Sequence, residues 1–117
     1  KDARNGPELV IDKKQSVKDE LFFIAKEGSQ VIGTVMAGYD GHRGWIYSMA
    51  VTPEKRNQKV GTALLTHAEN ELKKRGCVKI NLQIFEDNES VTDFYLKNGY
   101  SVEERISMGK EIKDNIQ

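Results

Sequence analysis

The sequence has 117 residues, and its 18 basic and 18 acidic side chains give a formal net charge of zero at neutral pH. A chain of this length supports one hydrophobic core, so we expect residues 1–117 to form a single domain. Hydrophobic residues make up 38% and charged residues 31%, proportions typical of a folded, water-soluble protein. The balanced charge creates no field that would favour nucleic acid or an anionic membrane as a partner.

The cysteine and histidine content bears on compartment and metal binding. The single cysteine, Cys77, excludes an internal disulfide framework and indicates a reducing compartment. His42, His67 and this one distant cysteine do not give a metal-ligand spacing. No apolar run has the length of a membrane-spanning helix, and no secretory signal begins the chain. We therefore expect a cytoplasmic protein without a metal.

The first half of the chain predicts one short helix followed by three strands. Residues 7–18 predict a helix or helical turn, because proline is tolerated at a helix start and apolar residues follow it. The next three segments are rich in strand-forming residues and are separated by glycine-containing turns, which predicts an antiparallel meander. The predicted strands are Leu21–Lys26, Val31–Tyr39 and Trp45–Val51.

The hydrophobic period changes in the second half. From Gly61 to Arg75 the apolar residues recur three and four positions apart, which predicts a helix that ends at a glycine cap, Gly76. A strand, a second helix and two short strands complete the prediction. These elements are predicted at Val78–Phe85, Glu89–Lys97, Tyr100–Val102 and Ile106–Met108.

This order of elements predicts the fold class. A strand–helix–strand passage between residues 45 and 85 implies a right-handed crossover and a parallel strand pair. The other strands follow one another through short turns and are expected to pair antiparallel. We therefore predict an α/β protein, α+β in detail, with a mixed, mostly antiparallel, twisted sheet and helices on both faces.

The most informative segment is the turn that joins the third strand to the long helix. It is polar and basic and leads directly into a helix N-terminus, where unpaired amides and the helix dipole attract anions. Arg56 and Lys59 add positive charge, and Gly61 leaves room for a phosphate beside the backbone. A pyrophosphate would fit here, and an ordinary solvated loop is the alternative. The glycine pattern of a P-loop nucleotide site is absent.

The segment from Arg56 to Ala63 resembles the acetyl-CoA motif of GNAT-type N-acetyltransferases. That motif is an Arg or Gln, two residues, a Gly, one residue, and then a Gly or Ala. Arg56 and Gly61 match it, whereas Lys59 stands at the position of the first glycine. A second block, from Asn88 to Tyr100, resembles the family's later motif of an Asn, a Phe-Tyr pair and a Gly-Tyr pair. The resemblance covers roughly residues 20–112, and within the family it is strongest to bacterial YpeA-type members.

The resemblance implies both an activity and a set of binding residues. It implies that acetyl-CoA serves as co-substrate, bound in the gap between the strands 45–51 and 78–85, and that its acetyl group passes to a small-molecule or peptide amine. A backbone amide in the first of these strands would polarise the thioester carbonyl. The implied cofactor-binding residues are Met49, Ala50, Val51, Arg56, Asn57, Gln58, Lys59, Val60, Gly61, Thr62, Ala63 and Asn88.

Tyr95 is the implied catalytic residue, as the general acid that protonates the departing thiolate. Its phenol has a reference pKa of ~10, which is comparable with that of a thiol. A packed aromatic is the alternative role for Tyr95, and a helix cap is the alternative for Asn88. Cys77 has no activating histidine near it in sequence, so direct transfer is expected rather than an acyl-cysteine intermediate. The general base stays open among Glu86, Asp87, Asp40, His42 and Tyr47.

Two other classes of function compete with an enzyme: a non-catalytic acyl-CoA-binding module and an interaction domain that shares the fold. The family usually begins with a strand and a helix that we do not find before Pro7, so an N-terminally shortened domain is expected. The sheet edge left open would lower stability or favour self-association, including a homodimer. The missing elements normally help to shape the acceptor site, so the sequence does not identify the acceptor.

Overall fold

The computed structural model describes residues 9–13, 21–56, 59–85 and 87–112. Within these residues there are two compact units, Lys1–Phe85 and Glu86–Gln117. The first unit contains a five-stranded sheet and one α-helix, and the second contains one α-helix. The strands are β1 (Leu9–Lys13), β2 (Leu21–Glu27), β3 (Gln30–Tyr39), β4 (Gly44–Val51) and β5 (Ile80–Leu82), and the α-helices are α1 (Val60–Lys74) and α2 (Glu89–Lys97).

The strands of the first unit lie in the order β1-β2-β3-β4-β5. β1, β2, β3 and β4 pair with one another in antiparallel orientation, whereas β5 pairs with β4 in parallel orientation. The parallel pair follows from the chain passing through α1 between the two strands, since a parallel connection needs a crossover. The predicted mixed, mostly antiparallel sheet is confirmed. The prediction of a single domain stays a prediction.

The first element of the chain differs from the predicted helix over residues 7–18. Leu9–Lys13 form β1, antiparallel to β2, with Leu9 opposite Glu27 and Lys13 opposite Phe23. Val10 and Ile11 are β-branched, which favours an extended backbone, and β2 provides hydrogen-bond partners along the whole segment. The helix prediction is therefore wrong for residues 9–13, and its remaining residues lie outside the described ranges.

The core of the first unit lies between α1 and one face of the sheet. The predicted apolar stripe of α1 is confirmed, because its residues are buried: Leu64, Leu65, Ala68 and Leu72. Val60, which precedes the predicted helix, is buried as well. α1 approaches the sheet closely at Gly33 on β3, where a Cβ atom would lie 2.8 Å from Cδ1 of Leu64 and 3.3 Å from Cγ1 of Val60. A residue without a side chain therefore lets the first turns of α1 lie directly on the sheet.

The second unit begins with α2, which buries Tyr95 and ends at Asn98 and Gly99, where φ is 95° at the glycine. Residues 100–112 form no strand, so the two short strands predicted there are wrong. Their apolar side chains alternate, but a strand requires a partner strand to satisfy its backbone groups. The large apolar residues of this segment are 76–89% exposed: Val102, Ile106, Met108 and Ile112.

Candidate functional site

β4 and β5 pair over only three residues of each strand. Ile46 and Leu82 form the last pair, after which β4 continues to Val51. Over these last residues β4 pairs with β3 on one side, and no strand of the described residues pairs with its other edge. That edge offers backbone N–H and C=O groups to an extended ligand that aligns as an additional strand. The predicted parallel pair is confirmed, and its pairing ends at Ile46 and Leu82.

A β-bulge in β4 explains where the separation begins. Met36 lies opposite Ser48 and Ala37 lies opposite Ile46, so Tyr47 is an extra residue on β4. Tyr47 and Ser48 are both exposed, which interrupts the alternation of buried and exposed side chains. A bulge bends its strand and increases the local twist. β4 therefore changes direction at the residue that follows its last pair with β5.

Two contacts fix the loop between β4 and α1. The Arg56 Nε–H donates a hydrogen bond to the Val51 carbonyl at 3.1 Å, so this predicted cofactor residue holds the loop to the end of β4. Lys55, at the end of a 3-10 turn over Pro53–Lys55, places its ammonium 2.6 Å from the Glu27 carboxylate. The loop is thereby connected both to β4 and to the far end of β2. Asn57 and Gln58 lie outside the described residues.

The N-terminus of α1 is the position where the sequence predicts anion binding. Ala63 donates the first helical hydrogen bond, to the Lys59 carbonyl at 3.1 Å, so the amides of Val60, Gly61 and Thr62 have no partner within the helix. Among the described residues, no side-chain hydrogen bond caps this end, and the first turn contains no acidic residue. Within this part of the chain, the partial positive charge of the 15-residue helix is therefore not compensated. Three predicted cofactor residues, Val60, Gly61 and Thr62, offer such amides here, whereas the amide of the fourth, Ala63, is used within the helix.

Lys59 has an unusual backbone conformation, with φ at 64° and ψ at 19°. It is the only residue other than glycine with positive φ among the described residues. Glycine adopts this left-handed conformation without steric cost, whereas a residue with a Cβ pays about 1 kcal/mol. Lys59 stands where the acetyl-CoA motif has its first glycine. The residue differs from the motif, but the backbone keeps the conformation that favours glycine.

The free energy of unfolding of the Lys59→Gly variant is expected to be about 1 kcal/mol higher than that of the Lys59→Ala variant, because only glycine relieves the left-handed strain. Both variants remove the ammonium group, so the comparison isolates the backbone effect. Urea denaturation monitored by circular dichroism measures the difference. Equal stability of the two variants would show that the left-handed conformation carries no measurable cost at this position.

Tyr95 lies in the second unit and is 7% exposed. Its ring makes edge contacts with Phe94 and Tyr100, with ring centroids 5.0 and 5.4 Å apart. Burial raises the pKa of the Tyr95 phenol above its ordinary value. The phenol therefore stays protonated across the neutral range, as a proton donor must. Tyr95 is a packed aromatic, and its role as the general acid stays a prediction.

Asn88 caps α2. Its Oδ1 accepts a hydrogen bond from the Val91 amide at 3.4 Å, and its carbonyl accepts one from the Thr92 amide at 3.1 Å. The capping role that we considered as the alternative is therefore confirmed. Its predicted contact with the cofactor stays a prediction.

Replacing Asn88 by alanine is expected to lower the free energy of unfolding by about 1 kcal/mol, because the first turn of α2 loses its side-chain acceptor. Asn88→Ser is the matched control, since serine caps helices about as well as asparagine. Thermal unfolding monitored by the circular dichroism of the helices would compare the stabilities of the two variants. A serine variant as unstable as the alanine variant would contradict a purely capping contribution.

Two further residues considered in the sequence have structural roles. The Asp40 carboxylate accepts hydrogen bonds from the backbone amides of Arg43 at 2.7 Å and His42 at 2.8 Å, which hold its pKa below the ordinary value. Such a carboxylate is a weak base. The buried Cys77 thiol donates to the Lys79 carbonyl at 3.2 Å, which supports direct transfer. Glu86, another candidate base, lies outside the described residues.

Within the described ranges, no helix is long and apolar enough to cross a membrane. In the same part of the chain, no group of three or more His, Cys, Asp or Glu side chains could hold a metal ion.

Comparison with known proteins decides the family. Residues 3–100 match the acetyltransferase (GNAT) family. The chain belongs to this family. It is 39% identical to an acetyltransferase of Yersinia pestis (strain Pestoides F) over 108 residues, which are 92% of this chain and 77% of that protein. The GNAT resemblance is thus confirmed and the protein is an acetyltransferase, while the YpeA-type assignment stays a prediction.

Solved structures show the same fold. The PaiA N-acetyltransferase from Thermoplasma acidophilum, in complex with coenzyme A, is similar with a TM-score of 0.71 and 30% identity, over 75% of this chain and 55% of that chain. An aminoglycoside acetyltransferase from an uncultured soil metagenomic sample, in complex with sisomicin, has a TM-score of 0.74 over 85% of this chain and 69% of that chain. At 16% identity, this second similarity supports the GNAT fold alone.

The bulge at Tyr47 is the feature that sequence reasoning missed. We considered Tyr47 as a candidate base and as a residue of the sheet, its rim or the acceptor pocket, but we predicted no bulge there. The signal was present, because the inward-facing Ile46 and Met49 are three residues apart, whereas a regular strand would place them two or four apart.

Proposed function

We propose that this GNAT protein transfers the acetyl group of acetyl-CoA directly to an amine. The supporting observation is that one short stretch of chain carries both the open edge of β4 and the uncompensated N-terminus of α1. The strand edge suits the amides of the pantetheine arm, and the helix start suits the pyrophosphate. The Arg56 hydrogen bond to Val51 keeps these two features together.

Different residues of this site would bind different parts of acetyl-CoA. Backbone groups at Met49, Ala50 and Val51 would hydrogen-bond the pantetheine arm, and one of these amides would polarise the thioester carbonyl. The amides of Val60, Gly61 and Thr62, which have no partner within the helix, would hold the pyrophosphate, with Lys59 supplying positive charge. Bound acetyl-CoA supplies an acetyl group activated as a thioester.

The reaction proposed is a single acyl transfer. The neutral nitrogen of the amine attacks the carbonyl carbon, a C–N bond forms and the C–S bond breaks. The proton that the nitrogen loses passes to solvent, the departing thiolate takes one from the Tyr95 phenol, and the phenolate regains a proton from solvent. The buried, hydrogen-bonded Cys77 takes no part. The acceptor would be a small-molecule or peptide amine in the cytoplasm, with no role for nucleic acid, membrane or metal.

Calorimetric titration of the full chain tests the donor. Acetyl-CoA and CoA are expected to bind, whereas ATP is expected to bind much more weakly because it lacks the pantetheine arm. Absence of acetyl-CoA binding by folded protein would falsify the proposal.

A carboxylate in the first turn of α1 tests the position of the pyrophosphate. Thr62→Glu is expected to weaken CoA binding about tenfold, because the new charge repels the phosphates at the helix start. Thr66→Glu adds the same charge one turn later, at an exposed position, and is the matched control. Calorimetry measures both affinities, and equal losses in the two variants would contradict the assigned position.

A further inference from the structure

Tyr47 is an exposed aromatic residue at the bulge of β4. Its side chain is 59% exposed, and it is the extra residue of the β4 bulge. It also follows Ile46, the last residue of β4 that pairs with β5. Bulges redirect side chains and occur frequently beside active sites. Tyr47 therefore stands where the two parallel strands begin to separate.

The backbone of β3 supports the Tyr47 ring. A Cβ atom at Gly38 would lie 2.7 Å from Cε2, 2.8 Å from the phenol oxygen and 3.1 Å from Cζ of Tyr47. The outer half of the ring thus occupies the space that a side chain at Gly38 would fill. One side of the ring rests on the strand, and much of the remaining surface is open to solvent. An aromatic ring held in this way is a preorganised binding surface for a ligand.

The ring lies on the face of the sheet opposite α1. Gly33 faces α1, since a Cβ there would meet Leu64 and Val60. Gly38 is five residues further along β3, and an odd separation along a strand places side chains on opposite faces. The acyl donor would occupy the gap beside β4, so the Tyr47 ring would flank the thioester without competing with the pyrophosphate at the start of α1.

We propose that Tyr47 is a cation-binding surface of the acceptor site, and that the acceptor carries a positively charged group in addition to the amine that reacts. This inference rests on the proposed function. The exposed face of a tyrosine attracts ammonium groups through its π electrons. The attacking nitrogen must be neutral at the moment of transfer, so the charge over Tyr47 belongs to a second group of the acceptor. Tyr47 thereby selects diamines and other basic acceptors over simple amines.

A matched pair of probes tests this surface without requiring a known acceptor. Choline and 3,3-dimethylbutan-1-ol have the same shape and differ in charge. In NMR titrations of the full chain saturated with CoA, choline is expected to bind about fivefold or more tightly than the alcohol. Tyr47→Phe should keep this preference, and Tyr47→Leu should reduce it to within twofold. Tyr39→Leu, which removes a tyrosine from the α1 face of β3, should keep it.

The outcomes separate this inference from the proposed function. Absence of a preference for choline in the wild-type protein, or a preference that persists in Tyr47→Leu, would overturn the role of Tyr47. Loss of the preference in Tyr47→Phe as well would assign it to the phenol hydroxyl, which also overturns the inference. CoA binding is measured separately by calorimetry. A protein that does not bind CoA would refute the proposed donor. The probe titrations can then still be made with the unliganded protein.

Discussion

Replacing Tyr95 by phenylalanine is expected to lower kcat for acetyl transfer by about 10²–10⁴-fold, the usual contribution of a positioned general acid. The substitution removes one hydroxyl group and keeps the ring that contacts Phe94 and Tyr100. Packing should therefore change little, and acetyl-CoA should bind as before. The rate of CoA release at saturating acetyl-CoA and amine measures the loss, and calorimetry checks the binding.

Tyr100→Phe is the matched control for this prediction. Tyr100 belongs to the same aromatic cluster but has no proposed chemical role, so its rate should stay within about threefold of wild type. A Tyr95→Phe variant that keeps full activity would leave Tyr95 as a packed aromatic and would move the proton donor elsewhere. A variant that loses acetyl-CoA binding in parallel would instead indicate a structural effect.

Replacing Leu64 by alanine is expected to lower the free energy of unfolding by about 2–5 kcal/mol, because it removes a fully buried side chain and leaves a cavity under α1. Gly33→Ala is expected to cost about 1–3 kcal/mol for the opposite reason, since its Cβ would lie 2.8 Å from Cδ1 of Leu64. Urea denaturation of both single variants and the double variant measures the coupling.

The two substitutions should compensate each other. The alanine methyl group at position 33 would enter space vacated by Leu64, so the double variant should lose less stability than the sum of the single variants. Leu96→Ala, at a half-exposed position of α2, serves as a control and should be additive with Gly33→Ala. Strict additivity of Gly33→Ala and Leu64→Ala would mean that the contact at Gly33 does not determine how α1 packs.

The parts of the fold that sequence predicted well are those with a long and unambiguous period. The α1 stripe extends over several helical turns and ends at Gly76, so both its type and its C-terminal end were predictable. The segment 9–13 has too few residues to show a period, and pairing with β2 decides its conformation. The alternation in residues 100–108 was clear, but alternation alone does not provide a partner strand.

The candidate site was predictable where backbone and charge determine it. The loop from Arg56 to Ala63 could be recognised from its basic residues, its glycine and the following helix. The left-handed conformation of Lys59 could not, because lysine carries no local preference for it. The bulge at Tyr47 depends on the register of β4 against β3, which is a property of two strands and not of one segment.

The first turn of α1 belongs both to the proposed anion site and to the core, because Val60 has an amide without a helical partner and a buried side chain. A ligand held there can bind only while the helix is docked on the sheet. Under the proposed function, the donor concentration affects the folding equilibrium: at 100 times Kd, bound acetyl-CoA would add about 2.7 kcal/mol to the free energy of unfolding. In a cell whose acyl-CoA supply falls, this acetyltransferase would lose protection against unfolding and proteolysis along with its substrate.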